Sequence, residues 1–117
     1  MKRTLLVRRR AEVQARQARD WYESQLEGLG RRFLTELDHA IQKAHENPLH
    51  YQAVHREIRR VLLRRFPYAV FFVEEPERVL VLAILHQYED PKKWKGATPP
   101  PEDDLAWKSD QNLTNKG

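Results

Sequence analysis

The sequence predicts an α+β domain in which a helical hairpin packs on a small, mainly antiparallel sheet. Three observations carry this. Two segments in the first half repeat apolar residues at steps of three and four. The second half holds three runs of aliphatic and aromatic residues without glycine. Prolines there fall only between the runs.

Residues 4–7 read as a short strand, β-branched and aliphatic. The first helix is expected over residues 11–28, with Ala11, Ala15, Ala18, Tyr22, Leu26 and Leu29 on one stripe. Gly28 and Gly30 break the pattern, because glycine permits the left-handed turn that ends a helix. The second helix is expected over residues 30–46, with Phe33, Leu37, Ala40, Ile41 and Ala44 as its stripe. Asn47-Pro48 stops it, since proline disfavours helix in the residue before it. A break this short between helices predicts an antiparallel pair.

Residues 49–55 read as a connector. Strands are expected over residues 58–66, 68–73 and 79–86, joined at Pro67 and at the polar turn 74–77 into a meander, with the N-terminal strand added. Residues 1–95 are read as one domain. Residues 96–117 carry three consecutive prolines and a polar ending, and read as a disordered tail. Leu105 and Trp107 stand out in it as an isolated anchor.

The chain has 117 residues, no cysteine and a formal net charge of +4. Without cysteine there is no disulfide framework, thiol nucleophile or thiolate-bound zinc. No apolar run suits a signal peptide or a membrane span, so a cytoplasmic protein without membrane attachment is expected. The basic balance favours an acidic partner. His45, His50 and His55 lack the i, i+4 spacing of a helical zinc pair, and Gly28 and Gly30 lack the lysine of a phosphate-binding loop. Neither a metal nor an organic cofactor is expected.

The strands are apolar at both parities. Tyr68, Val70 and Phe72 alternate with Ala69, Phe71 and Val73, and Val79, Val81, Ala83 and Leu85 alternate with Leu80, Leu82 and Ile84. A strand with one wet face alternates apolar and polar residues. A helical hairpin covers one face, so the second is expected to stay open for a partner.

Several stretches together resemble the RelE/ParE toxins of type II toxin–antitoxin systems. They are Ala18-Arg19-Asp20-Trp21-Tyr22-Glu23, Leu29-Gly30 and Asn47-Pro48, then Ile58-Arg59-Arg60, Arg65-Phe66-Pro67-Tyr68, His86, Asp90-Pro91 and Trp94. The resemblance covers residues 4–95 and implies the order β-α-α-β-β-β. It also implies a cognate antitoxin as partner in a hetero-oligomer, and growth inhibition once the antitoxin is lost. ParE-like members bind DNA gyrase and need a surface. RelE-like members cleave messenger RNA on the ribosome and need an acid, a base and cations for the developing charge.

His86 and Tyr88 are the candidate acid and base. Arg59, Arg60, Arg64, Arg65, Lys92 and Lys93 are the candidate phosphate- or target-binding cations, and Trp94 can stack on a base. The plainer reading makes His86 the end of a strand and the arginines a solvated edge. Where many relatives carry basic residues after the histidine, this chain has Gln87 and Tyr88. The ParE-like reading is preferred and the endoribonuclease kept as the alternative.

Overall fold

The computed structural model describes residues 3–86 and 105–108. The elements are β1 (Thr4–Arg8), α1 (Arg9–Gln25), α2 (Leu29–Glu46), a 3-10 turn (Pro48–His50), β2 (Ala53–His55), β3 (Ile58–Leu62), β4 (Tyr68–Glu74), β5 (Arg78–His86) and β6 (Leu105–Lys108). One sheet holds all six strands in the order β2-β3-β4-β5-β1-β6. β3, β4 and β5 form the expected antiparallel meander, and β1 adds to β5 in parallel.

The helical stripes pack as their spacing requires. Ala11, Ala15, Ala18 and Tyr22 of α1 meet Phe33, Leu37, Ile41 and Ala44 of α2 over Leu5, Val7, Val70, Phe72, Val79 and Val81 of the sheet. Glu23 joins the two helices. Its carboxylate accepts the N–H of Gly28 at 3.0 Å and of Gly30 at 2.9 Å, so a side chain of α1 caps the start of α2. These two bonds hold the Glu23 carboxyl below the usual carboxylate range. Gly28 takes the left-handed conformation with φ 87°, and a Cβ on Gly30 would stand 2.8 Å from the carbonyl oxygen of Arg19.

The other face of the sheet is also buried. Leu6, Ile58, Ala69, Phe71, Val73, Leu80, Leu82 and Ala83 form a second apolar layer to which neither helix contributes. The expectation of an open second face is therefore not met. Burial on this face involves no side chain of either described helix.

The parity of β5 also needs correction. Phe71 pairs with Ala83 but Phe72 with Val81, so Leu82 is the extra residue of a β-bulge. Past it the faces exchange: Ile84 joins Val79 and Val81 under the helices, and Ala83 joins Leu80 and Leu82. Gln14 of α1 accepts the Ile84 N–H at 2.8 Å through its side-chain oxygen, which ties the bulge to the helical layer.

Three boundaries differ from expectation. α1 starts at Arg9 directly after β1 and ends at Gln25. β3 stops at Leu62, because the chain already reverses through Leu63 N–H to Tyr68 oxygen (3.0 Å) and Tyr68 N–H to Phe66 oxygen (2.7 Å). The connector contains the short edge strand β2, paired with β3. Within the expected tail, Leu105–Lys108 form a strand antiparallel to β1. The other residues of 96–117 lie outside those described.

Two expected outcomes test this frame. Gln14→Met leaves the Ile84 N–H unpaired and lowers unfolding free energy by about 1–3 kcal/mol, whereas Gln17→Ala on the exposed side stays within about 0.5 kcal/mol; urea denaturation reads both. The Glu23 carboxyl is depressed in the folded state, so its contribution is present above the unfolded pKa and lost as pH falls through the folded one. Thermal midpoints of the wild type and Glu23→Gln should differ at neutral pH and converge in acid.

Candidate functional site

Among the described residues, a concave surface runs between α2 and the edge of the meander. One hollow, of about 420 Å³, lies between Glu36, His39 and Lys43 of α2 and Tyr51, Arg60 and Arg64 across from them. The other, of about 560 Å³, lies between Leu29, Arg31, Arg32 and Thr35 of α2 and Arg65, Phe66 and Pro67 of the β3–β4 turn, with Tyr22 of α1 also lining it. Glu36 lines both, so they form one trough along the helix. On α2, Arg32, Glu36, His39 and Lys43 recur at steps of four, three and four, the spacing of one face.

The aromatic wall is built from the inside outward. Tyr22 stacks on Phe33 at 5.3 Å and 28°, and Phe66 meets it edge-on at 4.8 Å. Tyr68 packs on Phe33 at 5.3 Å and on Tyr22 at 6.1 Å. Trp21 stands against the edge of Tyr22 with 58% of its surface exposed. Burial, and then the nearby Tyr68, push the Tyr22 phenol up. Burial alone pushes Tyr68 up. Both hydroxyls therefore stay protonated at neutral pH and can donate hydrogen bonds but not serve as bases.

The structure divides the arginines singled out in the sequence. Arg59 is half-buried and donates to the Tyr51 carbonyl oxygen at 2.6 Å, which fastens the connector to β3. Arg60 and Arg64 line the first hollow and Arg65 the second. Arg64 and Arg65 are exposed, and neither forms an ion pair among the described residues. His86 ends β5 opposite Tyr68, with the two rings 5.7 Å apart at 66°. Tyr88, Lys92, Lys93 and Trp94 lie outside the described residues.

Arg31, Arg32, Glu36, His39 and Lys43 were not among the expected site residues. As a charged helix face they look like ordinary solvated surface. The signal was present as one helical stripe opposite the Arg64-Arg65 pair, but only the turn at residues 63–67 reveals that the two face each other. Among the described residues no group of three His, Cys, Asp or Glu is placed to hold a metal ion. No described helix is long and apolar enough to cross a membrane.

Comparison with known proteins identifies the family. The family model for the ParE toxin of the type II toxin–antitoxin system, parDE, matches residues 5–91. The chain belongs to the ParE toxin family. Among solved structures, this ParE-family chain is similar to one described as the chromosomal ParDE TA system from P. aeruginosa. The TM-score is 0.66 at 13% identity, over 73% of this chain and 96% of the other. Identity that low speaks for the fold alone. No curated protein shares enough sequence with the chain to count as a match. The β-α-α-β-β-β order of the ParE-like fold is present, extended here by β2 and β6.

The two kinds of arginine are separable by experiment. Arg59→Ala removes the anchor of the connector and should lower stability by about 1–3 kcal/mol. Arg64→Ala and Arg65→Ala should each stay within about 0.5 kcal/mol. Chemical denaturation of the three variants against wild type reads the difference.

Proposed function

We propose that this chain is the toxin of a type II toxin–antitoxin pair that acts in the ParE manner. It halts growth by binding a cellular target, with DNA gyrase as the target its family suggests, and a cognate antitoxin neutralises it in a hetero-oligomeric complex. It acts in the cytoplasm, where both partners are met. The match of the ParE toxin family over residues 5–91 carries this reading, since it spans both helices and the strands from β1 to β5.

The trough beside α2 supports a binding reading: it offers cations and an apolar hollow, the attributes of a binding surface.

The test is induced expression of the full chain, with and without the adjacent reading frame, scored for growth. Arrest that the neighbour relieves is the expected result; growth unaffected by the chain would overturn the toxin reading. In parallel, purified protein should inhibit gyrase supercoiling and leave messenger RNA intact. His86→Gln should keep the arrest. If a folded His86→Gln protein loses arrest and the wild type cuts RNA, the endoribonuclease alternative replaces the ParE-like one.

A further inference from the structure

We propose that the second face of the sheet is a docking surface for the chain's own segment 87–104, which sets Tyr88 and Trp94 against Phe71, Leu80 and Leu82. The proposal does not depend on the toxin reading, and its test makes no reference to growth.

Burial is the first argument. Ala69, Phe71 and Leu80 are 0% exposed and Leu82 is 2% exposed. Side chains of a sheet stand roughly perpendicular to it, so neighbours in one layer shield their flanks and not their tips. Burial this complete needs a second layer about 10 Å away. Both described helices pack on the opposite face, with Phe72, Val79 and Val81. The cover therefore comes from outside the described residues, which leaves residues 1–2, 87–104 and 109–117.

Composition chooses among these three. Met1 and Lys2 are too few to span the face. Residues 109–117 hold Leu113 as their one apolar side chain, among polar and charged neighbours. Residues 87–104 hold Tyr88, Trp94, Ala97 and four prolines. A buried aromatic side chain removes about 150–250 Å² from water, which makes Tyr88 and Trp94 the groups able to cap a patch of this kind.

The path of the chain leads to the same segment. β5 ends at His86, and the chain re-enters the sheet at Leu105 in β6, with β1 between the two strands. Leu105 pairs with Arg8, and Val7 is level with Val81 of β5. The two ends are thus about two strand spacings apart and offset by a few residues, a gap that about five extended residues would bridge. Residues 87–104 are far more than that link needs, so most of the segment has to lie elsewhere. On the helical side, α1 leaves β1 at Arg9 and packs over Val7, Val79 and Val81, across the way from β5 to β6. On the other side no described helix stands in the path.

The limits of burial agree. Leu62 of β3 pairs with Ala69, yet it is 47% exposed. Leu80 and Leu82 of β5 and Leu6 of β1 are buried. The cover is complete beside the strands that separate His86 from Leu105 and lapses at Leu62. On this reading Trp94 belongs to the core and is not a ring free to stack on a base.

The test is nuclear magnetic resonance of the full chain with labelled methyl groups. Nuclear Overhauser contacts from the Trp94 indole to the methyl groups of Leu6, Leu80 and Leu82 are expected. A mixture of labelled and unlabelled protein should show that they arise within one chain. Trp94→Ala should raise the fluorescence of the dye ANS severalfold, as exposed apolar surface does, and lower the thermal midpoint. Trp94→Phe should restore most of both, and Leu113→Ala should match the wild type. Three results would each overturn the proposal: no contact between the Trp94 indole and these methyl groups, contacts that arise only between chains, which would give the face to a second copy, or a folded Trp94→Ala protein with wild-type dye binding and midpoint. The contacts are read on the wild type, so they decide the matter even where Trp94→Ala fails to fold.

Discussion

Phe71 and Phe72 are neighbours in one strand, lie on opposite faces of the sheet, and are both fully buried. Each buried aromatic side chain is worth several kcal/mol, and leaving either in water would remove a large part of the stability of a domain this small. Their strand, β4, lies between β3 and β5, and β5 is shielded in turn by β1. The helices serve only the Phe72 face. On the other face Phe71 is buried in one cluster with Leu6, Leu80 and Leu82. Burial of this central hairpin on two sides is the requirement around which the other elements are placed.

The bulge at Leu82 converts that requirement into the geometry of the strand end. Without it, His86 would share a face with Leu80 and Leu82, away from the helices. With it, His86 turns to the helical side and meets Tyr68, which packs on Phe33 and Tyr22. Gln14 holds the bulge from α1. One inserted residue thus joins the strand end to the aromatic cluster that also forms the floor of the trough. A polar side chain fixes the arrangement because the bulge leaves a backbone donor that needs a partner.

Helix periods, the Asn47-Pro48 stop and the polar turn before β5 were legible because each depends on local chemistry. So was the parity of β4, where Tyr68, Val70 and Phe72 fall on one side as alternation requires. The bulge was not legible: Leu82 is as apolar as its neighbours, and nothing local distinguishes an inserted residue from a paired one. β2 was missed because an edge strand of three residues carries almost no periodic signal. The site divided in the same way. Arg59 was not separable from Arg60 in the sequence, and the structure separates them by the bond of Arg59 to the Tyr51 carbonyl oxygen. Arg31, Arg32 and Lys43 were hidden because their partners across the trough are distant in sequence.

That division bears on how such a small fold can bind. The arginine held by a backbone carbonyl fastens the connector to the start of β3, and Arg64 and Arg65 stand exposed past the other end of that strand. Pre-positioned cations lose less side-chain freedom on meeting an anion than cations on a loose loop. The same holds for α2, whose start is fixed by Glu23 from the neighbouring helix and whose far end is tied through the ring of His45 to the Arg3 backbone oxygen. Both walls of the trough are thus anchored to the core by contacts that leave their outward charges unspent. A surface of this construction can recognise a partner through shape and sign alone, without a reacting group.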